Sequence, residues 1–359
     1  MICHRRFLAA TALILSILVC VRQVDAQRKK NQEPKSQVQP LPPEPPMALA
    51  ADTAGLDFHI SPLLKTAGLR AQIRLSLTNL IRDTRGETII KLRAFVAGAG
   101  DARRVQAETA AIFTEHKLPL PVISILQVGG LGQEAAQVVI EAVVATRRTV
   151  NPNGLAFLVG QTGTSLNDAL ERLKQSAGRI ALPRDHVLSC TCFTSRIENY
   201  EATRAAVEAA FPKTAIAVVQ AVRDPLNDVS TCQAVGQLVE PPAEGPVVLL
   251  PNERAVLVNA HQLVFTGLQL TFGSFLDDAH ESFSRLQRAA SVVDAVEVPI
   301  EVNAFSINAY AGSALQKSTA VPPSTFTAQM VEGLPAVDAS GGLEAVLAPH
   351  VSSRTVVTR

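Results

Sequence analysis

Tryptophan is absent from this sequence, and only 2 tyrosines accompany 13 phenylalanines. Aromatics make up 4% of the residues, so platforms for stacking single-stranded bases are scarce. Net charge is nearly absent as well: 33 Lys and Arg stand against 32 Asp and Glu, which leaves +1. The basic footprint of a nucleic-acid binder is missing, and no nucleic-acid partner is expected. Beyond the amino-terminal segment no stretch is apolar for long enough to span a bilayer, so no membrane contact is expected past that segment.

Metal-ligand spacing is also lacking. His59, His116, His186, His261, His280 and His350 form no ligand pattern, and Cys190-x-Cys192 has no second Cys or His cluster. Neither a metal nor a cofactor is expected. Gly129-Gly130-Leu131-Gly132 falls in a strand–strand turn with no helix after it, and Gly160–Ser165 contains no lysine, so neither is a phosphate cradle. Cysteine is sparse, with Cys3 and Cys20 in the amino-terminal apolar segment and Cys190, Cys192 and Cys232 later. Cys190 and Cys192 share one face of a strand and are poorly placed to bond to each other. Two readings remain for these three: small buried hydrophobes, or a disulfide from Cys232 to a neighbouring strand.

What is present is a 359-residue chain, 47% hydrophobic and 18% charged, long enough for two or three domains. With so few aromatics, the core must be built from Ala, Val, Leu and Ile. His4, Arg5 and Arg6 precede the apolar run 7–21, and Val24-Asp25-Ala26 offers a cleavage site. Residues 1–26 read as a secretory signal peptide, so the protein is expected to be exported, periplasmic or secreted, or membrane-tethered if the segment stays uncleaved. Residues 27–50, proline-rich from Pro40 to Pro46, read as a linker, and 350–359 as a loose tail.

Between them the chain repeats itself. Closing strands recur at 140–145, 232–236 and 343–348, and Pro121, Pro212 and Pro323 lie at nearly constant distance before Glu141, Gln233 and Glu344. A mid-unit strand ends in phenylalanine each time, at Phe95, Phe193 and Phe305, and an earlier strand supplies Phe58, Phe157 and Phe265. Apolar residues at helical spacing precede the mid-unit strands: Leu69, Ile73, Leu77 and Leu80; Leu166, Ala169, Leu170 and Leu173; Leu276, Ala279, Phe283 and Leu286. The segments 88–97, 186–193 and 296–305 are rich in β-branched residues and read as strands. The expected fold is α+β: three tandem units at 51–150, 151–240 and 246–349, each a sheet with two helices on one face. The other face of each sheet must be covered by something.

These landmarks carry a resemblance. Phe157-Leu158-Val159-Gly160-Gln161, Pro121-Val122-Ile123-Ser124 with Ile140-Glu141-Ala142, and Arg254-Ala255-Val256 ahead of Leu263–Gly267 resemble the reactive intermediate deaminase family. This family is called Rid or YjgF-type and is also labelled L-PSP endoribonuclease. The resemblance implies a chorismate-mutase-like trimer packed about a threefold axis, with ligand pockets between neighbouring units. Three copies in one chain would make a monomer with intrachain threefold packing. It also implies hydrolysis of reactive enamines or imines, with an arginine two residues after the proline gripping the substrate carboxylate. Ile123, Thr214 and Thr325 occupy those positions here. The expected function is therefore enamine or imine hydrolysis, or small-ligand binding in the inter-unit clefts. The alternative is a non-catalytic binding or scaffold module of the cell envelope. Candidate catalytic carboxylates are Glu141 and Glu344, and candidate ligand-binding residues are Gln161, Gln233 and Arg223. Lys213 and Arg223 are the cations considered as substitutes for the missing arginine, Arg223 also reading as a turn residue paired with Asp224.

Overall fold

Ile73, Leu77 and Leu80 stack on one stripe of a helix, and all three side chains are buried. The computed structural model describes residues 43–349 and 356–358, apart from 66–67, 99, 294–296 and 319–320. The proposed signal peptide, and most of the proposed linker and tail, lie outside the described residues.

Strand β1 (Ala48–Asp52) comes first. Then β2 (Leu56–Ile60), helix α1 (Leu69–Asp83), β3 (Thr88–Ala97), α2 (Arg103–Glu115), β4 (Val122–Val128) and β5 (Val138–Ala145) form a sheet of order β2-β5-β3-β4. The next stretch supplies β6 (Leu155–Gly163), α3 (Leu166–Arg179), β7 (Val187–Thr194), α4 (Tyr200–Ala210), β8 (Ala215–Gln220) and β9 (Ser230–Gln237). Its core order, β6-β9-β7-β8, is the same. After β10 (Val247–Leu250) and β11 (Ala255–Val258) come β12 (Gln262–Thr266), β13 (Gln269–Thr271), α5 (Leu276–Ser291), β14 (Glu297–Ser306), α6 (Ala309–Ser318), β15 (Phe326–Met330) and β16 (Gly341–Pro349). The third sheet runs β12-β16-β14-β15, and β17 (Val356–Thr358) ends the described chain. In all three sheets the first strand pairs antiparallel with the last, and the middle strand pairs parallel with the one after it.

The helices follow from their sequences. Ser165 accepts a hydrogen bond from the Asp168 amide at the start of α3, and Asn199 caps α4 through the Ala202 amide. Asp278 accepts from the Phe275 amide at the start of α5, placing a carboxylate at the positive helix end. Ala169, Leu170 and Leu173 of α3 are buried with Cys190, Cys192 and Val218 of the second sheet, and Ala279 and Leu286 of α5 with Val302 and Ala304 of the third. Each sheet thus turns one face to its helices.

The other faces meet one another. Phe95, Phe193 and Phe305, one from each middle strand, are buried together, with ring centroids 5.6 and 6.0 Å apart. Burying three rings drawn from strands so distant in sequence makes the three sheets one packing problem. Close approach needs glycine at one seam: a Cβ on Gly160 would lie 2.6 Å from the Thr327 methyl, and the Gly160 amide donates to Thr327 Oγ1 at 3.0 Å.

Three expectations change. Residues 48–52, placed in the linker and the start of the first unit, form a strand on the edge of the third sheet, pairing with β12. The segment around Arg254, expected to open the third unit, instead puts β11 against β6 of the second sheet. In the tail, 356–358 pair in parallel with β10. The cause is the same each time: an open sheet edge must satisfy its N–H and C=O groups, and the strand that reaches it is set by tertiary proximity. The cysteine reading resolves to the disulfide alternative. Cys192 and Cys232 face each other across β7 and β9 and are joined. Cys190 stays a free thiol, buried, its sulfur 3.9 Å from that of Cys192 and its pKa pushed up to about 12 by burial.

Candidate active-site chamber between the sheets

Each middle strand carries an irregularity at the same point: between Ile89 and Lys91, between Val187 and Ser189, and between Pro299 and Glu301. A bulge adds one residue to a strand and re-aims its neighbours. Ile90, Leu188 and Ile300 therefore join the inner apolar cluster, while the next residues, Lys91, Ser189 and Glu301, also point inward. Two residues further on, the pleat turns Arg93, Thr191 and Asn303 to the same face. Opposite them in register lie Glu141, Gln233 and Glu344.

These positions line a partly open chamber of about 80 Å³. Phe58, Phe157 and Phe265 wall it at the level of Lys91, Ser189 and Glu301. Arg93 of the lining stacks over the ring of Phe95 at 5.6 Å, and Phe95 is buried in one cluster with Phe193 and Phe305. His59, its side chain 27% exposed and 3.1 Å from Asp57, stands on the lining toward solvent.

Inside, the charges are tightly wired. Lys91 Nζ donates to Glu344 Oε2 and to Ser124 Oγ, each at 2.7 Å, and to the Thr266 carbonyl. Arg93 donates to Glu141 at 2.6 Å, Glu344 at 3.0 Å and Thr191 at 3.1 Å, and Thr191 donates to Glu141. Burial alone would raise the Glu344 pKa, but Lys91 and Arg93 overcome it and bring the carboxyl down to about 2. For Lys91 burial wins and the pKa falls, with Glu344 opposing. For Arg93 the neighbouring carboxylates outweigh burial, and the pKa rises. Glu301 differs. It is 7% exposed, burial pushes its carboxyl up to about 7, and Arg93 and the Asn303 side chain only partly oppose that.

The sequence-derived candidates divide. Glu141, Glu344 and Gln233 come together in the chamber. Gln161 does not; its amide donates to the carbonyls of Val159 and Glu253. Arg223 lies at a surface turn, where its partner is Glu332 at 3.7 Å rather than Asp224. The three positions of the missing arginine are spoken for: the Ile123 carbonyl accepts from the Leu268 amide, and Thr214 and Thr325 donate to nearby carbonyls. The cations sequence reasoning missed are Lys91 and Arg93, and the missed acid is Glu301. The available signal was a Lys-x-Arg pair in the otherwise apolar strand 88–97. Seams between sheets are hydrogen-bonded, as where the Gly129 amide donates to the Gln220 carbonyl at 2.8 Å and Arg254 donates to the Phe326 carbonyl at 2.9 Å. The chamber opens where all three sheets meet, not in a cleft between two as expected.

A buried set of carboxylates, amine, guanidinium, hydroxyl and amide can hold a small polar molecule or move a proton, and Glu301 has the proton affinity for the second.

No family model matches the chain, and no curated protein matches it. Among solved structures it is similar to TdcF of E. coli with bound serine, at 23% identity over 28% of this chain and 93% of that one, with a TM-score of 0.24. It is similar to the YjgF gene product of E. coli, at 28% identity over 29% of this chain and 94% of that one, with a TM-score of 0.23. A chorismatase is similar over 82% of this chain and 99% of its own, at 11% identity and a TM-score of 0.24. Scores this low leave the function of the chain to its own geometry.

Proposed function

We propose that this chain is a Rid-like protein, three copies of one α+β unit closed around their own axis, which binds a small molecule in the axial chamber. Support for three copies comes from the shared strand order, the shared bulge, and the three phenylalanines that meet. The chamber carries the functional half of the reading: it is a concave, largely apolar pocket walled by phenylalanines, with a few convergent charged and polar groups from matching positions of all three sheets. Arginine-dependent deamination does not fit. Lys91 and Arg93 already hold Glu344 and Glu141, so neither offers a free fork to a substrate carboxylate. Purified protein is expected to be monomeric, to leave 2-aminoacrylate unhydrolysed, and to gain thermal stability with a small polar ligand. Unchanged melting across a panel of amines, amides and keto acids defeats the binding reading.

One observation favours a second reading, imine hydrolysis by another route. Glu301, at about 7, sits where a general acid or base works best near neutral pH. Turnover of 2-aminoacrylate that disappears in Glu301→Gln selects this reading. Export through the amino-terminal segment belongs to the same proposal, and amino-terminal sequencing of secreted material beginning at Gln27 tests it.

A further inference from the structure

The chamber holds two cations and three carboxylates. Lys91 is paired with Glu344, and Arg93 with both Glu141 and Glu344. Among the described residues no Lys, Arg or His makes an ion pair with Glu301 within 4 Å; Asn303, on its own strand and on the same lining, is a neutral neighbour that favours the ionised carboxyl. The groups that face Glu301 are Lys91 and Arg93 of β3, Glu141 of β5, Glu344 of β16, and His59 of β2 on the lining. An ionised Glu301 leaves this interior one negative charge in excess. Buried charge of that kind is costly unless a proton or a counter-ion cancels it. Around it stand Phe58, Phe157 and Phe265, whose ring faces attract cations and repel anions. An incoming carboxylate would have to break an existing pair, whereas a cation completes the balance. Accepting the small-molecule reading above, we propose that the chamber takes a small organic cation of the primary-ammonium class, with the Glu301 carboxylate as counter-ion and the three phenylalanines as walls.

Cation and proton then compete for one carboxylate. A group titrating at about 7 is ionised in roughly 3% of molecules at about pH 5.5 and nearly all at about pH 8.5. Affinity should rise about 30-fold across that range.

The test is calorimetric titration of the purified protein with ethylammonium, acetamide and acetate, in amine-free buffers at both pH values. Ethylammonium should bind, tighten about 30-fold at the higher pH, and lose at least tenfold in Glu301→Gln. A carboxyl ¹³C titration of the wild type needs no variant: ethylammonium should lower the apparent pKa of Glu301. A pH-independent ethylammonium affinity, unchanged binding in Glu301→Gln, or an unmoved Glu301 titration overturns the proposal. Binding of acetamide or acetate without ethylammonium overturns the charge class and leaves the chamber as a ligand site. Silence from all three probes overturns both.

Discussion

Replacing Glu301 by glutamine keeps the shape of the side chain and removes the titration. In the native chain the carboxyl holds its proton until about 7, while in the unfolded chain it releases it at its ordinary value of 4.5. Between those values the native state binds the extra proton, so stability falls as pH rises. The gap, at about 1.4 kcal/mol for each pH unit, amounts to about 3 kcal/mol once both states are ionised. Glu301→Gln should therefore be more stable than wild type by about 3 kcal/mol at about pH 8, and no different below about pH 4. For a body this size the gain corresponds to a melting shift on the order of 5 °C. Urea unfolding at a series of pH values, in amine-free buffer, measures the difference directly. A variant no more stable at high pH, or a difference that does not change with pH, refutes the claim that this carboxyl is buried without a cation.

Other perturbations follow from the same interior. Arg93→Met strips Glu141 and Glu344 of their shared guanidinium and should cost about 3–5 kcal/mol at neutral pH by urea unfolding. Part of that loss should vanish in acid. In wild type, Glu344 contributes stability above its ordinary 4.5 that is lost as pH falls toward about 2, and the variant lacks part of it. Phe193→Ala empties the meeting point of the three rings and should cost about 3–5 kcal/mol in the same assay. Replacing Cys192 and Cys232 together by serine opens a loop spanning 40 residues and should cost about 2–4 kcal/mol, with Cys190 left unreactive toward thiol reagents in the folded state.

Much of the scaffold was legible because it is written in local periodicity. The stripe Ile73-Leu77-Leu80 gives α1, and the strand at 88–97 appears with the bounds its β-branched residues imply. Phe95, Phe193 and Phe305 were readable as landmarks, though nothing local says that they touch. The site was half legible. Glu141, Gln233 and Glu344 stood out because they recur, while Lys91, Arg93 and Glu301 differ at their matching positions and so leave no repeat signature. Their convergence depends on three strands drawn together from distant parts of the chain, and on a bulge whose effect appears only in the register. The strand swaps at 48–52 and 255–258 were hidden for a related reason: a sequence encodes a strand more strongly than the edge it joins.

The central claim is that the first and third sheets bury their charges in each other, and a double-mutant cycle on Lys91 and Glu344 tests it most directly. Lys91→Met, Glu344→Gln and the double variant, each unfolded in urea, should show a coupling of about 1–3 kcal/mol between residues on different sheets. Additivity within about 0.5 kcal/mol would mean that the two side chains do not meet in solution, and the chamber between the sheets would go with them.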